Sequence, residues 1–74
     1  MFRLKTLNRQ IKSLDERCEL VMSNGYQYFL FDDVEQNVYE MESVYVPRLN
    51  DLPLIQWIEM AHDFIENVKE EKGL

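Results

Sequence analysis

The residue with the widest chemical repertoire in this chain is its single histidine, His62. Glu59 stands three residues before it and Glu66 four after it, spacings that make the three side chains neighbours on a helix. Glu-x-x-His is a pair that carboxylate-bridged metal sites use, but those sites draw further ligands from other helices. One helix cannot complete such a site, so the arrangement reads as a solvated, ion-paired histidine. Cys18 is the single cysteine, and His62 is its only candidate base, with no oxyanion-binding motif in view. It reads as a small buried apolar residue, and alone it can close neither an internal disulfide nor a cysteine-rich zinc site. Asp32-Asp33 resembles half of a divalent-metal site but lacks the spaced oxygen ligands and glycine of a calcium loop, so turn chemistry accounts for it. No catalytic residue, cofactor or metal ligand is assigned, and the expectation is a protein that is not an enzyme.

The tyrosines carry more information. Tyr26 and Tyr28 fall at a spacing of two, as do alternate positions of the segment holding Tyr39 and Tyr45, so strand alternation puts each pair on one face. Tyrosine stabilises strands by cross-strand packing, and it is also enriched at interfaces. The four form a candidate protein-binding face. Single-strand nucleic-acid binders also present aromatic side chains on a sheet, but Glu40 and Glu42 beside them would repel a phosphate backbone.

Periodicity places these residues on elements. Leu4, Leu7, Ile11, Leu14 and Cys18 follow the three-and-four spacing of one helical stripe, predicting a helix over about 3–16. Asn24-Gly25 is a strong hairpin signal, because both residues tolerate the positive φ of a type I′ turn. It predicts strands over about 18–23 and 26–31, the second rich in aromatic residues. A third strand is expected over about 38–46, where polarity changes face near Ser43 and so points to a bulge; Pro47 ends its ladder. Asn50 or Asp51 is available to cap a second helix over about 54–70, with Pro53 in its first turn. Its stripe runs through Leu54, Trp57, Ile58, Ala61, Phe64, Ile65 and Val68, so Trp57 is expected in the core, and Gly73 is its stop. The chain is read as α+β: one domain over 1–74 in α-β-β-β-α order, a three-stranded antiparallel sheet with two helices on one face.

Length and charge narrow the function. A chain of 74 residues, 46% hydrophobic and 30% charged, has room for one core and little left for a substrate cleft. Residues 1–17 carry a net +3 and residues 18–74 a net −9, giving −6 in all. Overall acidity argues against a nucleic-acid partner, whose phosphates require clustered Lys and Arg. No apolar run reaches the roughly 18 residues of a membrane span, and no secretion signal opens the chain, so no membrane partner and a cytoplasmic location are expected.

Between Asn24 and Ile58 the residues Gly25-Tyr26-Gln27-Tyr28-Phe29, Ser43-Val44-Tyr45-Val46, Arg48-Leu49-Asn50, Leu52, Leu54 and Gln56-Trp57-Ile58 form a pattern that resembles a family of small phage- and prophage-encoded proteins of no assigned function. A threonine usually opens the second helix in that family, where Pro53 stands here. The resemblance implies a phage-type accessory protein working in a bacterial host cytoplasm, and it transfers no catalytic or binding residue. The expected function is non-catalytic protein–protein binding, through a homodimer or with a host bacterial protein. The alternative is an acidic inhibitor that mimics nucleic acid and occupies a groove of a host defence or restriction enzyme.

Overall fold

Alternation along the central strand decides the architecture. The computed structural model describes residues 1–74 and contains α1 (Leu4–Leu14), β1 (Cys18–Met22), β2 (Gln27–Asp33), β3 (Val38–Val44), a 3-10 turn at Leu49–Asp51 and α2 (Leu54–Lys72). The strands form an antiparallel meander in the order β1-β2-β3. Gln27, Phe29, Phe31 and Asp33 of β2 are buried while Tyr28 and Leu30 are half-buried and Asp32 is exposed, so one face of the sheet carries the core and the other meets solvent. Both helices lie on the core face, α1 against β1 and α2 against β2 and β3.

The core joins Leu7 and Ile11 of α1, Cys18 and Leu20 of β1, Phe29 and Phe31 of β2, and Trp57, Ala61, Phe64, Ile65 and Val68 of α2. Trp57 is fully buried, as its place in the helical stripe predicts. Its ring meets Phe29 edge-on at 6.1 Å, and Phe29 stacks on Phe64 at 5.7 Å, both within the range that favours aromatic pairs. The indole N–H donates to the Leu49 carbonyl at 2.8 Å, so the largest core side chain also fixes the 3-10 turn.

Several local expectations are corrected. α1 stops at Leu14, short of residue 16, because the Asp15 carboxylate takes the Arg17 backbone N–H at 3.0 Å and turns the chain. Neither Asn50 nor Asp51 caps α2. Asn50 instead bonds both backbone groups of Phe2, at 3.1 and 2.9 Å, Asp51 accepts from the Arg48 N–H at 3.2 Å, and Pro53 is the N-cap, without a side-chain bond. The bulge expected near Ser43 is absent, since β3 pairs with β2 without a break from Val44 opposite Gln27 to Val38 opposite Asp33. Glu40 and Glu42 do lie on the helix side, but β3 is the sheet's edge and α2 covers it incompletely. Glu40 reaches Lys72 at 3.0 Å and Glu42 stays exposed. β3 ends at Val44 because the chain reverses at Tyr45, where the Val46 N–H bonds the Val44 carbonyl at 2.9 Å. Gly73 terminates α2 as predicted, in the left-handed conformation with φ 69°.

The first hairpin differs from type I′. Gly25 has φ 85°, while the only non-glycine residue with positive φ is Asn37, at 56° in the second hairpin. The connection closes through one bond, from the Ser23 N–H to the Tyr26 carbonyl at 2.9 Å, with no bond returning from the Tyr26 N–H to Ser23. This looser turn asks for positive φ once, at Gly25. A Cβ added at Gly25 meets nothing within 4 Å, so the cost of a side chain there is purely conformational. Gly25→Val is expected to lose about 1–2 kcal/mol, a fall of about 5–15 °C in melting temperature, and Gly25→Asn to lose clearly less; thermal denaturation followed by circular dichroism checks both.

Candidate functional site

The open face of the sheet is built from alternate residues of the three strands: Val21 on β1, Tyr28 and Leu30 on β2, and Tyr39 and Met41 on β3. Tyr26 and Tyr45 extend it at the hairpin end. Tyr26 lies 6.3 Å from Tyr28 and 5.8 Å from Tyr45, ring centre to ring centre. Three of the four candidate tyrosines thus form one cluster. Tyr39 stands apart, opposite Asp32 at the other end of the face. Tyr39, Met41 and Tyr45 are 61%, 57% and 83% exposed, so large side chains on this face meet solvent. Val21, Leu30 and Met41 were not singled out from the sequence, although their alternation with the tyrosines carries the signal.

The two edges of this sheet are unlike. At β1, the Asn8 side chain of α1 accepts from the Leu20 N–H at 2.7 Å and donates to the Leu20 carbonyl at 2.9 Å. One amide thereby imitates a neighbouring strand and occupies the middle of that edge. β3 has no such cover. Between it and α2 runs an open groove of about 430 Å³ lined by Glu40, Glu42, Phe64, Val68 and Glu71 among others.

A second polar centre lies where α1 passes into β1. Arg17 grips Asp15 with two bonds, at 2.9 and 2.7 Å, and reaches Asp33 at 2.7 Å. Its guanidinium sits 4.8 Å from the centre of the Phe31 ring, a cation–π distance. Lys69 of α2 approaches Asp15 at 3.5 Å. The Arg17 side chain holds the Asp15 carboxyl down at about 2 against the desolvation that would raise it. Arg17 likewise lowers Asp33, helped by the Gln36 N–H, and its own ionisation is pushed further up by the two carboxylates. Asp33 therefore does the turn chemistry expected of Asp32-Asp33, while Asp32 is exposed on the open face. Sequence spacing within residues 15–17 hints at the Asp15 pair, but the link to Asp33 needs the hairpin.

The remaining candidates fall apart spatially. Cys18 is fully buried in the core, and burial pushes its thiol up to about 12, so it is protonated and shielded at neutral pH. His62 is exposed on α2, 3.7 Å from Asp63 and 4.0 Å from Glu66, distances too long for hydrogen bonds. No group of three or more His, Cys, Asp or Glu is arranged to hold a metal ion. No helix is long and apolar enough to cross a membrane. No protein-family model matches the chain, and no curated protein or solved structure is significantly similar to it.

Because Asp15 and Asp33 are held below their unfolded values, their stabilisation is present above about pH 5 and is lost as the pH falls through the folded values, about 2 for Asp15. The Asp15 part is expected to be on the order of 1 kcal/mol, reduced by solvent screening around a partly exposed Arg17. Urea unfolding between about pH 5 and pH 2 should show that slope in the native sequence and a shallower one in Asp15→Asn, which is also less stable at neutral pH. Cys18 is expected to resist iodoacetamide in the folded protein and to react at the rate of a free thiol in concentrated urea, a comparison read by mass spectrometry.

Proposed function

We propose that this chain acts by non-catalytic protein binding, with the open sheet face as contact surface and a second copy of the chain as its occupant. The observation that carries the reading is the uncovered row of Tyr26, Tyr28, Tyr45, Met41 and Tyr39 on a sheet whose helices all lie on the other side. A chain of 74 residues with one cysteine has no disulfide to stabilise it and gains from burying that row. Two such faces stack in a two-fold arrangement in which each tyrosine cluster meets apolar surface of the other copy. A bacterial host protein is the further partner proposed for this chain, as expected of a phage-type accessory protein.

A second reading has its own support. Glu59, Asp63, Glu66 and Glu70 are all exposed on α2 at spacings of four, three and four, a stripe of carboxylates along one helix face. Such a stripe favours an inhibitor that takes the place of nucleic acid in a basic groove. The two readings respond oppositely to salt. Apolar self-association of a chain carrying −6 strengthens as salt screens repulsion, whereas an ionic groove contact weakens.

Light scattering from about 10 µM to about 1 mM is expected to show the mass rising from the 9.0 kDa of one chain towards twice that value, more steeply at higher salt. The double variant Tyr26→Ser, Tyr45→Ser should remain monomeric throughout while keeping the helical circular dichroism. A native chain that stays monomeric at millimolar concentration refutes self-association.

A further inference from the structure

We propose that the free edge of β3 is a docking site for an extended basic segment of a partner protein, which joins the sheet as a fourth strand. The site is distinct from the sheet face, since it uses backbone groups directed in the plane of the sheet.

The register identifies those groups. The Asp32 N–H bonds the Arg17 carbonyl at 2.9 Å and the Ser23 N–H bonds the Tyr26 carbonyl at 2.9 Å, which fixes the even-numbered residues of β2 as those bonded to β1. Each residue of an antiparallel strand directs its N–H and C=O to the same side. The odd-numbered residues of β2 therefore bond β3, through Val38, Glu40, Glu42 and Val44. Tyr39, Met41 and Ser43 are left with N–H and C=O groups pointing outward, all three residues exposed. At the opposite edge, the equivalent groups of Leu20 are occupied by Asn8. A strand added at β1 has to displace Asn8 from Leu20, whereas at β3 no side chain stands in the way.

Charge selects the occupant. A new strand places alternate side chains on the helix side, beside Glu40 and Glu42, over the groove that Glu70 and Glu71 of α2 also line. Lys72 neutralises Glu40 at 3.0 Å, while Glu42, Glu70 and Glu71 enter no ion pair and remain exposed. The residues facing Glu40 and Glu42 sit at the non-hydrogen-bonded pairs of the new ladder, where cross-strand side chains approach most closely. Lys or Arg at alternate positions fits them. The intervening side chains fall beside Tyr39 and Met41 on the open face, which favours apolar residues. A second copy of β3 is the wrong occupant: antiparallel pairing about Met41 sets Glu40 of each copy opposite Glu42 of the other, a like-charge contact made twice.

The test uses the full chain and a capped synthetic peptide of about seven residues in which Lys and Val alternate, a length matched to the seven residues of β3. Expected on titration is slowed amide hydrogen exchange at Tyr39, Met41 and Ser43, whose N–H groups are free beforehand, with Kd at least about tenfold weaker for the Glu-Val counterpart and about fivefold weaker in Glu40→Gln, Glu42→Gln. Backbone N-methylation of the Lys-Val peptide at alternate residues, on the edge that would face β3, should abolish the protection. Equal binding of the Glu-Val peptide, binding that survives methylation, or binding that leaves those three amides unprotected would overturn the proposal. Because light scattering of the peptide-free chain reads self-association separately, failure of either idea leaves the other standing.

Discussion

The placement of two helices over three strands decides the surface of this molecule. A helix with its side chains is about 10–12 Å across and strands lie about 4.8 Å apart, so two helices are wide enough for the sheet, but α1 packs on β1 and α2 meets β3 only in part. α1 and α2 shelter β1, β2 and the Val38 end of β3, and leave the acidic middle of β3 at the rim. That geometry explains why Glu40 and Glu42 can occupy the helix side of a strand without entering the core. It also explains why the wide apolar stripe of α2 converges on Phe29, where Trp57 and Phe64 both meet the ring.

Backbone groups that the short elements strand are recovered by a few side-chain amides and one indole. Asn8 serves Leu20, Asn50 serves Phe2, and Trp57 serves Leu49. Gln27 does the same for Val46 at 2.9 Å, while its own Oε1 is buried with no partner from the protein. Holding the segment after β3 against the sheet keeps Tyr45 beside Tyr26, so this internal polar group supports the external aromatic cluster. Arg17 performs the corresponding task at the far end, where it ties the α1–β1 connection to the end of β2 above Phe31.

The element order, the one-sided helix layer and the burial of Trp57 were legible because each rests on local periodicity or on a turn dipeptide. The misreadings share a cause. Asn50 and Asp51 have the composition of helix caps, but Asn50 finds Phe2, forty-eight residues away, and no local pattern announces a partner that distant. The charge alternation on β3 resembled a bulge because a sequence does not say which strand lies at the edge, where a carboxylate on the inner face still reaches water. For the same reason the tyrosines could be paired by alternation, but the separation of Tyr39 from the other three depended on where β3 ends and the chain reverses. Arg17 likewise meets Asp33 only once the hairpin has brought the end of β2 to it.

The amide of Asn8 has a consequence for how such molecules can multiply. Sheets that grow edge to edge without limit do so head to tail, each unit offering one edge to the opposite edge of the next, and that is the geometry of a filament. Here the middle of the β1 edge is filled from within the chain by a side chain anchored on a helix packed into the core. A β3 strand arriving from another molecule would have to displace both of its bonds. Open-ended growth through the middle of the β1 edge is thereby opposed, while the β3 edge stays bare.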